Sequence, residues 1–102
     1  MQARTMAESK IARVQTLLDQ AGQAHHHFEQ FELGGEFDED WPQWYAAYLL
    51  ENGLGQLLAR QPQAAELAAS LSSITEEHQD AEEQRWSAFV APRLLQEFGE
   101  SP

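Results

Sequence analysis

The sequence predicts an all-α domain of four main helices, arranged as two duplicated antiparallel αα-hairpins in a bundle with a short connecting helix. Three observations predict it. Apolar residues recur at spacings of three and four in every long segment, starts and stops carry helix-capping residues, and the second half repeats key positions of the first.

Thr5 followed by Glu8 is a capping-box pattern, in which hydroxyl and carboxylate satisfy orphan backbone donors, so a first helix is expected to start there. Its apolar stripe runs Ile11, Val14, Leu18, Ala21, His25 and Phe28, widened by Leu17, Ala24 and Phe31. Gly34-Gly35 stops it. Asp40 opens the second helix as an N-cap acceptor, with Pro42 in the first turn and Gln43 completing a second capping box. Trp41, Trp44, Tyr45, Tyr48 and Leu49 share one face of it, and Asn52-Gly53 supplies a left-handed stop.

Leu54 to Arg60 reads as a short connecting helix, after which Pro62 resets the chain into a third helix carrying Ala64, Leu67, Ala68, Leu71 and Ile74. Its extent through Glu76–Glu83 is left open by the pattern. The fourth helix carries Trp86, Phe89, Val90, Leu94 and Phe98, is expected to bend at Pro92, where one internal hydrogen bond is lost, and closes at Gly99.

An offset of 53 residues sets Ala64 on Ile11, Leu67 on Val14, Leu71 on Leu18, Ile74 on Ala21, His78 on His25 and Glu82 on Glu29. For the second helix of each pair an offset of 45 sets Trp86 on Trp41, Phe89 on Trp44, Ala91 on Ala46, Leu94 on Leu49 and Leu95 on Leu50. Apolar matches are expected of any two amphipathic helices, so the matched Trp, His and Glu carry the inference of an internal repeat. Residues 1–102 then form one domain, with repeat 1 at about 5–53 and repeat 2 at about 62–99. Two such hairpins are expected to close about an approximate two-fold axis.

Hydrophobic residues make up 42% of the chain, enough for a packed core rather than a disordered segment. Against 17 Asp and Glu stand 6 Lys and Arg, a formal net charge of −11 that disfavours nucleic acid and anionic membrane surfaces as partners. A cationic protein partner fits that charge, as does plain solubility. With no cysteine, disulfides, thiolate catalysis and cysteine-ligated metals are excluded. Neither a signal peptide nor a membrane span is legible, so the expected location is the cytoplasm.

His25 and Glu29 lie one helical turn apart, a pairing mirrored by His78 and Glu82. Convergence of the four in a bundle core would offer a ligand set for zinc, manganese or iron, and so a metal-binding bundle or metalloenzyme. The plainer account has each histidine at a core edge, hydrogen-bonded to a carboxylate or an indole with no metal. Acids at the turns, Glu36, Asp38, Glu39 and Asp40 in one and Asp80, Glu82 and Glu83 in the other, suit the dipole of the following helix. Trp41, Trp44, Tyr45, Tyr48, Trp86 and Phe89 form an aromatic cluster, read chiefly as core and otherwise as a pocket for an apolar or cationic ligand. Leu50 and Leu95, about half a turn from the Trp faces, imply burial against the connecting segment or against a second subunit in a homodimer.

No phosphate loop, nucleophile elbow or His-Glu-x-x-His occurs, and no catalytic residue stands out. The stretch Asp40-Trp41-Pro42-Gln43-Trp44-Tyr45-Ala46-Ala47-Tyr48-Leu49, preceded by Ala24-His25-His26-His27-Phe28-Glu29, resembles a group of small bacterial all-helical proteins sharing a Trp-Pro-x-Trp-Tyr-Ala signature. The resemblance covers about the first half of the chain, implies a bacterial helical domain and carries over no activity. The sequence therefore points first to a small acidic, non-enzymatic helical binding or regulatory module, with the metal-binding bundle as the alternative.

Overall fold

The computed structural model describes residues 3–36 and 38–98, the side chains of residues 3–9 excepted. Five α-helices and no strand occur among them: α1 (Ala3–Phe31), α2 (Trp41–Glu51), α3 (Leu54–Leu57), α4 (Ala64–His78) and α5 (Trp86–Phe98), with a 3-10 turn at Gln79–Ala81. The 29 residues of α1 span ~43 Å at 1.5 Å per residue, which sets the long axis of a molecule measuring 49 × 29 × 21 Å. None of these helices is long and apolar enough to cross a membrane.

The helix stripes close on an aliphatic core. Val14, Leu18 and Ala21 of α1 meet Ala46 and Leu49 of α2, Leu67, Leu71 and Ile74 of α4, and Val90 and Leu94 of α5, all buried. The widest packing runs between α2 and α4 and between α1 and α5, rather than between the consecutive helices α1 and α2 or α4 and α5. Ala46 and Ala91 are wholly buried. Leu50 and Leu95 are half-buried and pack against the same core.

Several local expectations need correction. Helix α1 already includes Thr5, so its start precedes the expected cap, and the side chains of the Thr5–Glu8 capping box lie outside the described residues, as do Phe37 and Gly99. Phe31 is 72% exposed, because the last turn of α1 runs past the end of the core. Asp40 is the N-cap of α2 by position, but its side chain makes no capping bond. Its own N–H instead donates to Asp38 Oδ1 at 2.9 Å, an Asx turn. The capping interaction lies at α4, where the N–H of Gln63 donates to Glu66 Oε1 at 3.3 Å and Arg60 grips the same carboxylate through both amino groups.

The glycine stops behave as expected: Gly34 (φ 64), Gly35 (φ 88) and Gly53 (φ 99) occupy the left-handed region that a side chain disfavours. The connecting helix is real but short, and α4 gives way to the 3-10 turn just after His78. Pro92 sits inside α5, which continues through it to Phe98.

Candidate functional site

Helical periodicity puts His25, Phe28 and Glu29 together near the end of α1, and Trp41, Trp44, Tyr45 and Tyr48 along one face of α2. Trp86, the first residue of α5, and Thr75 of α4 approach the same corner. The six-residue set His25, Glu29, Trp41, Tyr45, Thr75 and Trp86 lines an open cleft of about 360 Å³, predominantly apolar.

Three of its walls are rings set nearly at right angles. Trp41 meets Tyr45 edge-on (centroids 5.5 Å, 88°), Trp41 meets Trp86 (6.4 Å, 77°), and Tyr45 meets Trp86 (5.4 Å, 73°). Edge-to-face packing is favourable because each ring has a negative face and a positive edge. Trp86 is pinned further by its indole N–H, which donates to Thr75 Oγ1 at 3.0 Å. None of Trp41, Trp44, Tyr45, Tyr48 and Trp86 is buried. They form a half-buried band on the rim of the core, and of the aromatic cluster only Phe89 lies inside.

A polar network underlies this corner. His25, 8% exposed, directs Nε2 at Asp38 Oδ2 (2.9 Å) and Nδ1 toward Glu29 Oε2 (4.0 Å). Glu29 Oε2 also accepts the N–H of Asp38 at 3.2 Å, while Asp38 Oδ1 accepts that of Asp40. The segment leading into α2 is thus tied to the flank of α1 by two carboxylates, that of Glu29 on the Asp38 N–H and that of Asp38 on His25. The imidazole is packed between the rings of Trp44 (4.9 Å), Tyr45 (5.1 Å) and Phe28 (6.1 Å). Burial first, and the nearby Glu29 charge second, raise the Tyr45 phenol above its ordinary value of 10.0. Both causes keep that phenol neutral beside an anionic wall.

The other paired histidine is placed differently. His78 is half-exposed, its Nε2 bonds the carbonyl of Gln84, and its ring packs on Phe89 (5.2 Å). Glu82 is exposed, and among the described residues it makes no ion pair with His78. No group of three or more His, Asp and Glu among the described residues is arranged to hold a metal ion. His26 and His27 face solvent, His27 against the ring of Phe31.

Sequence reasoning picked out His25, Glu29 and the aromatic residues but missed Asp38 as the partner of His25 and Thr75 as the anchor of Trp86. By sequence alone Asp38 groups with its acidic neighbours at the positive end of the α2 dipole. The available signal was the Asp-x-Asp spacing of an Asx turn, which turns one of those acids back on the chain. Comparison with protein families, curated proteins and solved structures found no match to this chain.

Proposed function

We propose that this protein is a non-enzymatic binding module whose aromatic cleft receives a positively charged group, a lysine or arginine side chain of a protein partner. The observation that carries this reading is the corner of Trp41, Tyr45 and Trp86 with Glu29 on its wall. Ring faces attract cations through their quadrupoles, and a carboxylate at the same cleft adds a full opposite charge. The net charge of −11 extends the attraction to longer range and steers a basic partner in. A cleft of about 360 Å³ suits one long side chain rather than a folded element.

Tryptophan fluorescence tests this. Lysine-rich and arginine-rich peptides are titrated at low and high salt beside a lysine-acetylated control, which is neutral at the same positions. The cationic peptides are expected to change the emission saturably and to weaken severalfold as salt shortens the Debye length to a few ångströms. An equal response to the acetylated peptide, or no saturable response to either cationic peptide at low salt, contradicts the reading.

The scaffold beneath the cleft we read as a duplicated hairpin, and two observations support this. Four of the pairs set by the repeat share full burial: Val14 with Leu67, Leu18 with Leu71, Ala46 with Ala91 and Leu49 with Leu94 are all 1% exposed or less. His25 on Trp44 (4.9 Å, 59°) and His78 on Phe89 (5.2 Å, 54°) are also alike in geometry. On this reading Trp41 and Trp86, which touch, are equivalent residues meeting near the axis. The binding cleft then lies where the two halves meet, and each half supplies one tryptophan.

A further inference from the structure

A second cleft, of about 550 Å³, lies between the first half of α1 and the α2–α3 turn, and its charge is opposite to that of the rest of the molecule. Acids make up 17 of the chain's 102 residues, yet among the described residues no Asp or Glu lines this cleft, while Lys10 and Arg13 both do. They are one turn apart on the same face of α1. Arg60, Arg85 and Arg93 are all held by carboxylates, of Glu66, Asp19 and Glu77. Among the described residues no carboxylate lies within 4.0 Å of Lys10 or Arg13.

The left-handed turn at Gly53 brings Asn52 and Gln56 to the wall facing α1, and Thr16 adds a hydroxyl. Asn52 spends one amide N–H on the carbonyl of Tyr48, which fixes the side chain in place. Leu17 and Leu57 supply an apolar portion of the lining. Two cations, neutral hydrogen-bonding groups and an apolar patch form the donor set of a site for an oxyanion carried on an apolar body. A bare inorganic ion would leave most of that volume and the leucine surface unused.

We propose that the cleft bounded by Lys10, Arg13, Thr16, Asn52, Gln56 and Leu57 binds a small organic anion, with a phosphate or carboxylate head on the two cations and its apolar part on the leucines. The site is independent of the aromatic cleft and of the function proposed for it. Its charge opposes the overall field, so a ligand is held by short-range contacts instead of long-range steering. Affinity for it is expected to depend less steeply on salt than affinity for a basic peptide at the aromatic cleft.

The test is a titration of the ¹⁵N-labelled protein with phenyl phosphate, inorganic phosphate and sodium chloride at matched ionic strength, followed by NMR. Phenyl phosphate is expected to shift the Thr16 backbone and the Asn52 and Gln56 side-chain amides saturably, and to bind more tightly than inorganic phosphate. Arg13→Gln and Lys10→Gln, both at exposed positions, are each expected to weaken it roughly tenfold, about the value of one charge-assisted hydrogen bond. Affinities unchanged in both variants, equal affinity for inorganic phosphate, or shifts that sodium chloride reproduces would overturn the proposal. So would the same shifts arising on concentrating the protein alone, which would assign the cleft to the acidic turn of a second copy.

Discussion

His25 and His78 each pack on an aromatic ring of the next long helix, but only His25 is buried and, among the described residues, only His25 meets a carboxylate. The difference comes from the connections that follow. After α1, Gly34 and Gly35 take left-handed conformations, and the returning chain lays Asp38 on the imidazole. After α4 the chain winds on as a 3-10 turn, a backbone carbonyl takes the imidazole, and Glu82 and Glu83 are left in solvent. Two similar helix pairs thereby acquire one anionic corner between them. Local chain geometry, not the histidine itself, decides which imidazole meets a carboxylate.

The sharpest way to break this comparison is to remove each histidine. His25→Ala deletes a buried ring and removes the imidazole that Asp38 and Glu29 share, an expected loss of about 2–4 kcal/mol. His78→Ala deletes a half-exposed ring with one hydrogen bond and is expected to cost about 1 kcal/mol. Urea denaturation of both variants checks this, and equal losses would remove the asymmetry between the turns.

A smaller effect is expected from the acids. Asp38→Asn keeps the shape but removes the charge facing His25, at about 1–2 kcal/mol, whereas Glu82→Gln at an exposed position should fall within roughly 0.5 kcal/mol of the parent. Thermal melting of the two variants reads the contrast, and a Glu82→Gln loss as large as that of Asp38→Asn would contradict it. Gly35→Ala, at φ 88, places a side chain in a disfavoured backbone region and is expected to cost about 1 kcal/mol.

The smallest expected effect depends on pH. The Tyr45 phenol is raised in the folded protein, so its contribution to stability is complete below pH 10.0, the ordinary value, and is lost as pH rises through the higher folded value. Tyr45→Phe is expected to make the decline in stability above pH 10.0 shallower than in the parent. Denaturation midpoints measured on both sides of that pH test the sign, and an unchanged or steeper decline would contradict it.

Much of the fold is legible because it depends on periodic burial. The stripe of Val14, Leu18 and Ala21 and its counterpart of Leu67, Leu71 and Ile74 recur at helical spacing, and the glycines at 34, 35 and 53 mark the reversals by the one property that distinguishes them. The site is only half legible. His25 with Glu29 is a local pair visible at one-turn spacing, whereas Asp38 and Thr75 reach their partners across 13 and 11 residues, through a loop path and a turn that periodicity does not encode. Rim and core are also alike in pattern. The aromatic face of α2 has the spacing of a core stripe, yet its rings are only half-buried.

The three tryptophans allow the most direct test of the cleft. Trp41 and Trp86 line it, while Trp44 stacks on Tyr48 (5.4 Å, 12°) outside the lining. In a titration with a lysine-rich peptide at fixed ionic strength, the indole N–H resonances of Trp41 and Trp86 are expected to shift together and saturate with one affinity, with Trp44 moving least. Saturable shifts confined to Trp44, or a peptide that leaves all three indoles in place while binding elsewhere on the acidic surface, would contradict a cation-binding role for the aromatic corner.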